Sequence, residues 1–206
     1  MIKLIAIADT AVIGARDWVQ VCLAAEAGGA TALQLRMKGV PAGRVFETAV
    51  SLVAALTIPV IVNDRCDVAV LAGAGGVHLG RDDLPVGSAR CIPGGEKLII
   101  GTSVGNLAEA RAALNDNADY WGIGAVYGTP NKADAGAPIG VSGFARLVGV
   151  AGAIPTVAIG GVDATNCVPL MRAGARGVAA IGAVFGTEEV ERATRTDQAA
   201  EDARAR

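Results

Sequence analysis

Short runs of apolar and β-branched residues recur along the whole chain, and each run is continuous rather than alternating with polar residues. Runs of this kind are typical of parallel β-strands that are covered on both faces. Ala-rich segments with helical spacing lie between most of the runs, and one of them carries Trp18, Cys22, Leu23 and Ala25 on a single stripe. The pattern predicts eight strands, over residues 3–9, 31–36, 60–64, 76–80, 98–103, 120–126, 156–162 and 177–184.

The regular alternation of strands and helices predicts the fold class. Eight units of about 25 residues each predict a single-domain α/β protein, a (βα)8 TIM barrel over residues 1–206. An open doubly wound sheet is the alternative, but no GxGxxG turn follows the first strand, which argues against a dinucleotide site there. Gly28-Gly29, Gly73 and Gly174 fall where helices should end. Residues 188–206 are expected to form a charged C-terminal helix or tail.

Composition narrows the range of partners. The 206 residues are 52% hydrophobic and 18% charged, which is enough for a sizeable core and excludes a disordered chain. A formal net charge of -2 gives no basic field for a nucleic acid, and no weakly charged stretch is long enough to cross a bilayer. Four cysteines without a CxxC pair are expected to be free, buried thiols in a reducing compartment. We therefore expect a cytoplasmic protein with small-molecule ligands and no nucleic-acid or membrane partner; a homo-oligomer stays open.

Polar side chains are concentrated directly after the predicted strands. The carboxyl ends of all strands in a barrel meet at one mouth, where the βα loops carry the chemistry. Cations and glycine amides at such a mouth favour a phosphorylated ligand. The residues concerned are Gln34, Arg36, Lys38, Asn63, Asp64, Asp83, Ser103, Thr129–Lys132, Gly160, Gly161 and Gly182.

Two carboxylates among these cations suggest a metal ion. Asp64 and Asp83 leave adjacent strands, so their side chains can meet at one Mg²⁺, which prefers oxygen ligands and phosphates. Without a metal these carboxylates would repel a phosphorylated ligand. The sequence therefore predicts a ligand with at least one phosphate, and a diphosphate bound together with Mg²⁺.

Several neighbouring residues are better explained by structure than by chemistry. Arg65 and Asp67 are expected to pair or cap at the start of the following helix, and Asp82 to be solvated. His78 should point into the barrel, where a lone histidine is more often a hydrogen-bonded structural residue than a catalyst. Trp18, Tyr120 and Trp121 are interpreted as packing residues.

Six motifs resemble those of the thiamine-phosphate synthase family, in order over about residues 3–186. They are QLRMK, VNDR, GVHLGRDDLP, GTSV, TPNK and AIGG, which follow predicted strands two to seven in turn. The combination is highly specific, although AIGG alone occurs in many phosphate-binding barrels. The resemblance implies a (βα)8 barrel that joins a hydroxymethylpyrimidine diphosphate to a thiazole phosphate, with Mg²⁺ as cofactor, and releases pyrophosphate.

The resemblance also implies roles for individual residues. Asp64 and Asp83 match the metal ligands, and the catalytic roles fall to Ser103, Lys132 and Arg36. The residues that match the pyrimidine-diphosphate site are Gln34, Leu35, Arg36, Met37, Lys38, Asn63, Ser103 and Lys132. Those that match the thiazole-phosphate site are Thr129, Pro130, Asn131, Gly161, Ile181 and Gly182.

The chain departs from the family at positions near this site. Asn131 stands where the family usually has Thr, and Gly182 stands where it usually has Ser and can offer only a backbone N–H. Gly105 replaces a histidine that is often found after strand five. Two alternatives stay open: a thiazole tautomerase of the same superfamily, which typically uses that histidine and lacks the two carboxylates, and a non-catalytic barrel that holds a thiamine precursor.

The loop from Tyr127 to Ile139 is expected to act as a lid. It has about 13 residues, against the usual 2–6 of a βα connection, and its composition offers little apolar burial. It should therefore be mobile when empty and close over bound ligands, shielding a carbocation-like intermediate from water. Lys132 would reach the mouth only in the closed form, so Lys132→Ala should slow coupling and allow water to capture the cation.

Overall fold

The eight predicted strands form a closed parallel barrel in the computed structural model, which describes residues 2–129 and 136–202. Each strand pairs with the next along the chain, and the ring closes where the first strand meets the last, with Leu4 opposite Val178. The strands are β1 Leu4–Asp9, β2 Ala32–Arg36, β3 Val60–Asn63, β4 Gly76–Leu79, β5 Ile99–Val104, β6 Tyr120–Ile123, β7 Thr156–Ile159 and β8 Gly177–Ala180. The (βα)8 prediction is confirmed.

Helices follow every strand and cover the outside of the barrel. A short 3-10 helix, Gly95–Lys97, precedes β5. The α-helices of the described residues are α1 Thr10–Ile13, α2 Trp18–Ala27, α3 Ala42–Ala55, α4 Cys66–Leu71, α5 Val86–Cys91, α6 Leu107–Ala113, α7 Gly140–Ala151, α8 Cys167–Arg172, α9 Gly182–Phe185 and α10 Val190–Asp202. In the described part of the chain, no helix is long and apolar enough to cross a membrane.

The last three strands end earlier than the sequence pattern predicts. After β7, Gly160 and Gly161 take positive φ angles of 94° and 64°, which take the backbone out of the strand conformation. After β8, the chain turns into α9 at Gly182. The apolar residues that follow these strands therefore belong to the loops at the mouth or to α9, and not to the strands.

Alternate residues of each strand face two different apolar layers. Leu33, Val62 and Leu79 belong to the layer between the strands and the helices. Ile7 and Ile61 belong to a separate cluster inside the barrel. Because both faces of each strand are covered, the strands read as continuous apolar runs.

The predicted packing and helix-end roles agree with the structure at most positions. Trp121 is fully buried among the helices, and Trp18 packs against the outer layer. Gly29, Gly73 and Gly174 take positive φ angles directly after helices, as expected for glycines at helix ends. All four cysteines are free, but Cys91 is exposed, so the expectation that every thiol is buried was wrong at this position.

The helix α10 packs into the fold against α2, α8 and α9. A Cβ atom at Gly28, at the end of α2, would lie 2.5 Å from the backbone oxygen of Glu191, so only glycine allows this close approach. The last four residues of the predicted charged segment, 203–206, lie outside the described residues.

One carboxyl group on α10 should make folding stability depend on pH. Burial raises the pKa of Asp197 to about 6, with a smaller opposing contribution from a hydrogen bond to the backbone of Ala164. The folded protein therefore keeps a proton that the unfolded chain loses above about pH 4, so the unfolding free energy should fall as pH rises from about 4 to about 6. The expected loss is about 2–3 kcal/mol.

Denaturant titrations of the wild type and of Asp197→Asn, at pH 4 and pH 7, measure this loss. The wild type should lose more stability than the variant over this interval. Asp82→Asn, at an exposed carboxylate, serves as the control and should follow the wild type. Equal pH dependence of the wild type and Asp197→Asn would contradict the prediction.

Candidate active site

A cavity of about 620 Å³ opens where the carboxyl ends of the strands converge. This volume lies within the usual range for small-molecule sites. Most of the predicted site residues that the structure describes line it. They are Gln34, Arg36, Lys38, Asn63, Asp64, Asp83, Ser103, Thr129, Gly161, Ile181 and Gly182.

The segment that ends β2 sends alternate side chains to opposite sides. Gln34, Arg36 and Lys38 line the cavity. Leu35 is fully buried in the layer under the helices, and Met37 packs against that layer. Leu35 and Met37 could therefore make their predicted contact with a substrate only through main-chain atoms.

The guanidinium group of Arg36 is held by a carboxylate that the sequence analysis did not single out. Asp9, at the end of β1, pairs in register with Arg36 of β2 and forms a salt bridge with it. The other oxygen of Asp9 accepts a hydrogen bond of 2.8 Å from the backbone N–H of Ala11, at the start of α1. The Asp9 side chain is only 5% exposed, so it acts as a fixed anchor behind Arg36.

Asp64 and Asp83 meet at the ends of β3 and β4, as their strand positions predict. Both side chains line the cavity, and Lys38 Nζ lies 3.2 Å from Asp64 Oδ2. Burial raises the pKa of Asp64, Asp83 adds to the shift through its hydrogen bond and charge, and Lys38 opposes it. The backbone N–H of Gly80 donates to Asp83 Oδ2 at 2.6 Å, which fixes this carboxylate.

Ser103 is part of a hydrogen-bonded chain that crosses the barrel. Its Oγ lies 3.0 Å from His78 Nε2, and His78 Nδ1 lies 3.0 Å from the hydroxyl group of Tyr120. The Tyr120 hydroxyl also forms a hydrogen bond with Gln34. The inward direction of His78 agrees with the prediction, but the interpretation of Tyr120 as a packing residue missed its polar role.

The opposite side of the mouth is built from glycine turns. A Cβ atom at Gly161 would lie 2.5 Å from the backbone oxygen of Gly128, and one at Gly160 would lie 2.5 Å from Cβ of Ala125. The side-chain amide of Asn166 donates to the backbone oxygen of Gly161 at 2.9 Å, which ties the turn to the start of α8. These turns bring backbone close to the cavity, where N–H groups can reach an anion.

Substitution of Gly161 should lower stability for two reasons: its positive φ disfavours any residue with a side chain, and a Cβ atom would clash with neighbouring backbone. Gly161→Ala places a methyl group against backbone, so we expect a loss of more than about 1 kcal/mol in unfolding free energy and weaker phosphate binding. Gly152→Ala is the matched control, because Gly152 has a similar φ of 59° and open space around its Cβ position. Thermal unfolding with and without inorganic phosphate measures both effects, and equal behaviour of the two variants would contradict the expectation.

The loop after β6 reaches the mouth from both of its ends. Thr129 lines the cavity on one side, and Gly136, Ala137 and Ile139 line it on the other. The backbone N–H of Ile139 donates to the oxygen of Ala125 at 3.0 Å, which fixes the end of the loop. Pro130, Asn131 and Lys132 and the centre of the predicted lid lie outside the described residues.

The residues interpreted as structural behave accordingly. Arg65 and Asp67 form a salt bridge at the start of α4, and the side chain of Asp82 is 86% exposed at the rim. Three further charged residues line the cavity: Asp163, and Arg81 and Glu109, which lie 3.3 Å apart. The backbone N–H of Gly105 donates to Glu109, so a carboxylate closes this part of the wall.

Comparison with known proteins points to one family. The family model described as thiamine monophosphate synthase matches residues 4–184. The thiamine-phosphate synthase of Roseiflexus castenholzii is 42% identical over 192 residues, which cover 92% of this chain and 83% of that protein. The thiamine-phosphate synthase of Moorella thermoacetica is 44% identical over 186 residues, covering 88% and 87% of the two chains.

Solved structures agree with this result. The thiamine phosphate pyrophosphorylase from Pyrococcus furiosus superposes with a TM-score of 0.86 at 35% identity, covering 98% of this chain and 96% of that one. A 3-hexulose-6-phosphate synthase superposes with a TM-score of 0.70 at 17% identity, which shows a common fold alone.

Proposed function

Since this chain belongs to the thiamine monophosphate synthase family, we propose that its mouth joins a hydroxymethylpyrimidine diphosphate to a thiazole phosphate and releases pyrophosphate. The chain is a transferase that acts on small molecules. One observation carries the assignment of the two substrates: a single cavity has a charged side, with Asp64, Asp83 and Arg36, and a glycine-turn side around Gly161. A diphosphate suits the first side and a monophosphate the second.

The charged side fits a Mg²⁺ ion. Asp83 is close enough to Asp64 to raise its pKa, so the two carboxylates concentrate negative charge that a cation would offset. Among the described residues, no group of three or more His, Cys, Asp or Glu side chains is placed to hold a metal. The two carboxylates would therefore be the protein's share of the ligands, and Mg²⁺ commonly takes its remaining ligands from substrate phosphates and water.

The bond between the diphosphate and the methylene carbon of the pyrimidine must break first in the proposed reaction. The aminopyrimidine ring can spread the positive charge that develops on this carbon, so a dissociative path is favoured. When bound, Mg²⁺ would supply positive charge for the departing diphosphate. Arg36 and Lys38 add fixed positive charge, and the Ser103 hydroxyl can donate a hydrogen bond to the same group.

The thiazole phosphate occupies the glycine-turn side in this proposal. Backbone N–H groups near Gly161 and Gly182 would hold its phosphate, which directs the thiazole nitrogen towards the carbon that lost the diphosphate. This nitrogen is already a nucleophile, so no protein base is required for the new bond. Lys132 would add a cation from the loop, and this role and the lid stay predictions.

Gly105 argues against the tautomerase alternative. Glycine has no side chain to act as the acid or base that this reaction typically takes from a histidine at this position, and the backbone N–H of Gly105 is bound to Glu109 Oε2 at 2.7 Å. The two carboxylates and the cations beside them argue against the binding-only alternative. A protein that only holds a precursor needs no groups to stabilise a leaving diphosphate.

An omission assay distinguishes these functions. The protein is incubated with Mg²⁺ and with both phosphorylated halves, or with each half alone, and the products are identified by mass spectrometry. We expect thiamine phosphate and pyrophosphate in equal amounts, only when both halves are present. Conversion of the thiazole alone would indicate the tautomerase, and tight binding of both halves without turnover would indicate a binding protein; either result would contradict the proposal.

A further inference from the structure

The chain of hydrogen bonds through the barrel has four members and runs from one cavity-lining residue to another. Gln34 and Ser103 both line the cavity, on β2 and β5. Tyr120 and His78 connect them, and these two side chains are only 3% and 8% exposed. Tyr120 lies beneath the mouth, and His78 also borders the cavity. Neither connecting residue has a role in the reaction as described above.

Two glycines, one on β5 and one on β6, leave space for the two connecting rings. A Cβ atom at Gly101 would lie 2.1 Å from the ring of Tyr120, and one at Gly122 would lie 2.9 Å from Cε1 of His78. Glycine inside a strand costs stability and often marks a close approach of another group. The backbone of Gly101 therefore packs against the ring of Tyr120, and that of Gly122 against the ring of His78. His78 Nδ1 and the Tyr120 hydroxyl stay within hydrogen-bond distance of each other.

When His78 is neutral, such a chain can carry its hydrogens in two ways. In one, Gln34 donates to Tyr120, Tyr120 donates to His78 Nδ1, and His78 Nε2–H donates to Ser103, whose own hydrogen is then directed elsewhere. In the other, every donor and acceptor is exchanged, and Ser103 donates to His78. The second arrangement turns oxygen lone pairs of Ser103 towards the mouth, which is unfavourable beside an anionic diphosphate.

We propose that His78 and Tyr120 are positioning residues, which fix the proton on His78 Nε2 and so commit the Ser103 hydroxyl to donate to the departing diphosphate. This inference rests on the proposed function, because it takes the diphosphate as the group beside Ser103. The same arrangement leaves the carbonyl oxygen of Gln34 free to accept a hydrogen bond from the amino group of the pyrimidine. The pyrimidine diphosphate thus favours the same arrangement of hydrogens at both ends of the hydrogen-bonded chain, at Ser103 through its diphosphate and at Gln34 through its amino group.

Tyr120 can serve as a link in this chain because it stays protonated. Burial raises the pKa of Tyr120, and the hydrogen bond from Gln34 opposes only part of the shift. Tyr120 therefore keeps its proton over the whole neutral range and can donate it to His78 Nδ1, while its oxygen accepts from the Gln34 amide.

Nitrogen NMR tests the direction without any turnover. The chain has one histidine, so tag-free protein labelled with ¹⁵N-histidine gives one signal for each ring nitrogen. With Mg²⁺ and pyrophosphate added, Nε2 should carry the proton and Nδ1 should show the shift of an unprotonated nitrogen. In Tyr120→Phe this preference should be lost. A proton on Nδ1 of the wild type, alone or together with one on Nε2, would overturn the proposal.

Kinetics test its consequence. Tyr120→Phe should lower kcat about tenfold, the effect of one hydrogen bond, with little change in KM for the pyrimidine diphosphate. His78→Gln, which keeps an N–H near Ser103, should retain more activity than His78→Leu. Thr156→Val, which removes another buried hydroxyl group from a barrel strand, is the control and should leave kcat unchanged.

The outcomes of the two tests are separable. Equal loss of kcat in His78→Gln and His78→Leu would assign proton transfer to His78 and overturn the positioning role. An unchanged kcat in Tyr120→Phe would also overturn it. If the wild type forms no thiamine phosphate at all, the proposed function fails, while the NMR signals still decide the direction of the chain.

Discussion

Asp64→Asn and Asp83→Asn are each expected to lower kcat for coupling by about a hundredfold to a thousandfold, which is the usual loss when charge stabilisation of a transition state is removed. Both carboxylates lie at the ends of strands, beside the cations that face the same cavity. Without one of them, a Mg²⁺ ion at this position would keep only one of its two proposed protein ligands, and the departing diphosphate would lose much of its compensating charge. Steady-state assays over a range of Mg²⁺ concentrations measure the loss, and excess chelator should reproduce it in the wild type.

Asn is the better replacement at position 64 for a structural reason. Asp64 has a φ of 66°, in the left-handed region, which Asp and Asn tolerate better than other residues with side chains. Asp64→Ala should therefore lose activity and also about 1 kcal/mol of stability. Asp64→Asn separates the two effects, because it should unfold near the wild-type temperature.

Asp82→Asn is the matched control for both variants. Asp82 is the neighbour of Asp83, and its side chain is exposed and paired with Arg81 at 3.6 Å. This variant should keep kcat within about twofold of the wild type, as expected for an exposed surface pair. Near-normal rates for both Asp64→Asn and Asp83→Asn would contradict the charge-stabilisation mechanism.

Arg36→Ala is expected to lower kcat/KM for the pyrimidine diphosphate by about a hundredfold, the effect of losing a charge-assisted hydrogen bond to the ligand. The loss has a second source, because the buried carboxylate of Asp9 is then left without its partner beside an anionic ligand. Adding Asp9→Asn should therefore recover part of the activity, although Asp9→Asn alone should be harmful.

This prediction is a double-mutant cycle, and its readout is kcat/KM together with thermal unfolding of each variant. Arg65→Ala is the control, because Arg65 is paired with Asp67 outside the main cavity and should not affect the reaction. Strictly additive effects of the changes at positions 9 and 36 would contradict the role given to Asp9.

The sequence allowed the barrel and most of the mouth to be predicted for a simple reason. Parallel strands in chain order place their carboxyl ends together, so residues such as Asp64 and Asp83 on adjacent strands must approach each other. The alternation along β2 decides which of its residues face the cavity. Leu35 was predicted as a binding residue because the motif includes it, but the structure buries its side chain under the helices.

The residues that were missed act on other side chains and lie beneath the cavity surface. Asp9 lies opposite Arg36 in the ladder, but the register of β1 and β2 is needed to see this pair. Tyr120 begins an apolar strand and therefore looks like a packing residue. The glycines inside β5 and β6 were the available signal, since a strand interior without a side chain leaves room for a neighbouring ring.

A crystal structure of the protein with Mg²⁺, pyrophosphate and thiamine phosphate tests the central claim most directly, because it locates both products in one mouth. The account predicts a metal between the carboxylates of Asp64 and Asp83, with pyrophosphate against Arg36 and Ser103. It also predicts the phosphate of thiamine phosphate on the backbone near Gly161 and Gly182. Pyrophosphate bound on the glycine-turn side, or a metal that contacts neither Asp64 nor Asp83, would contradict it.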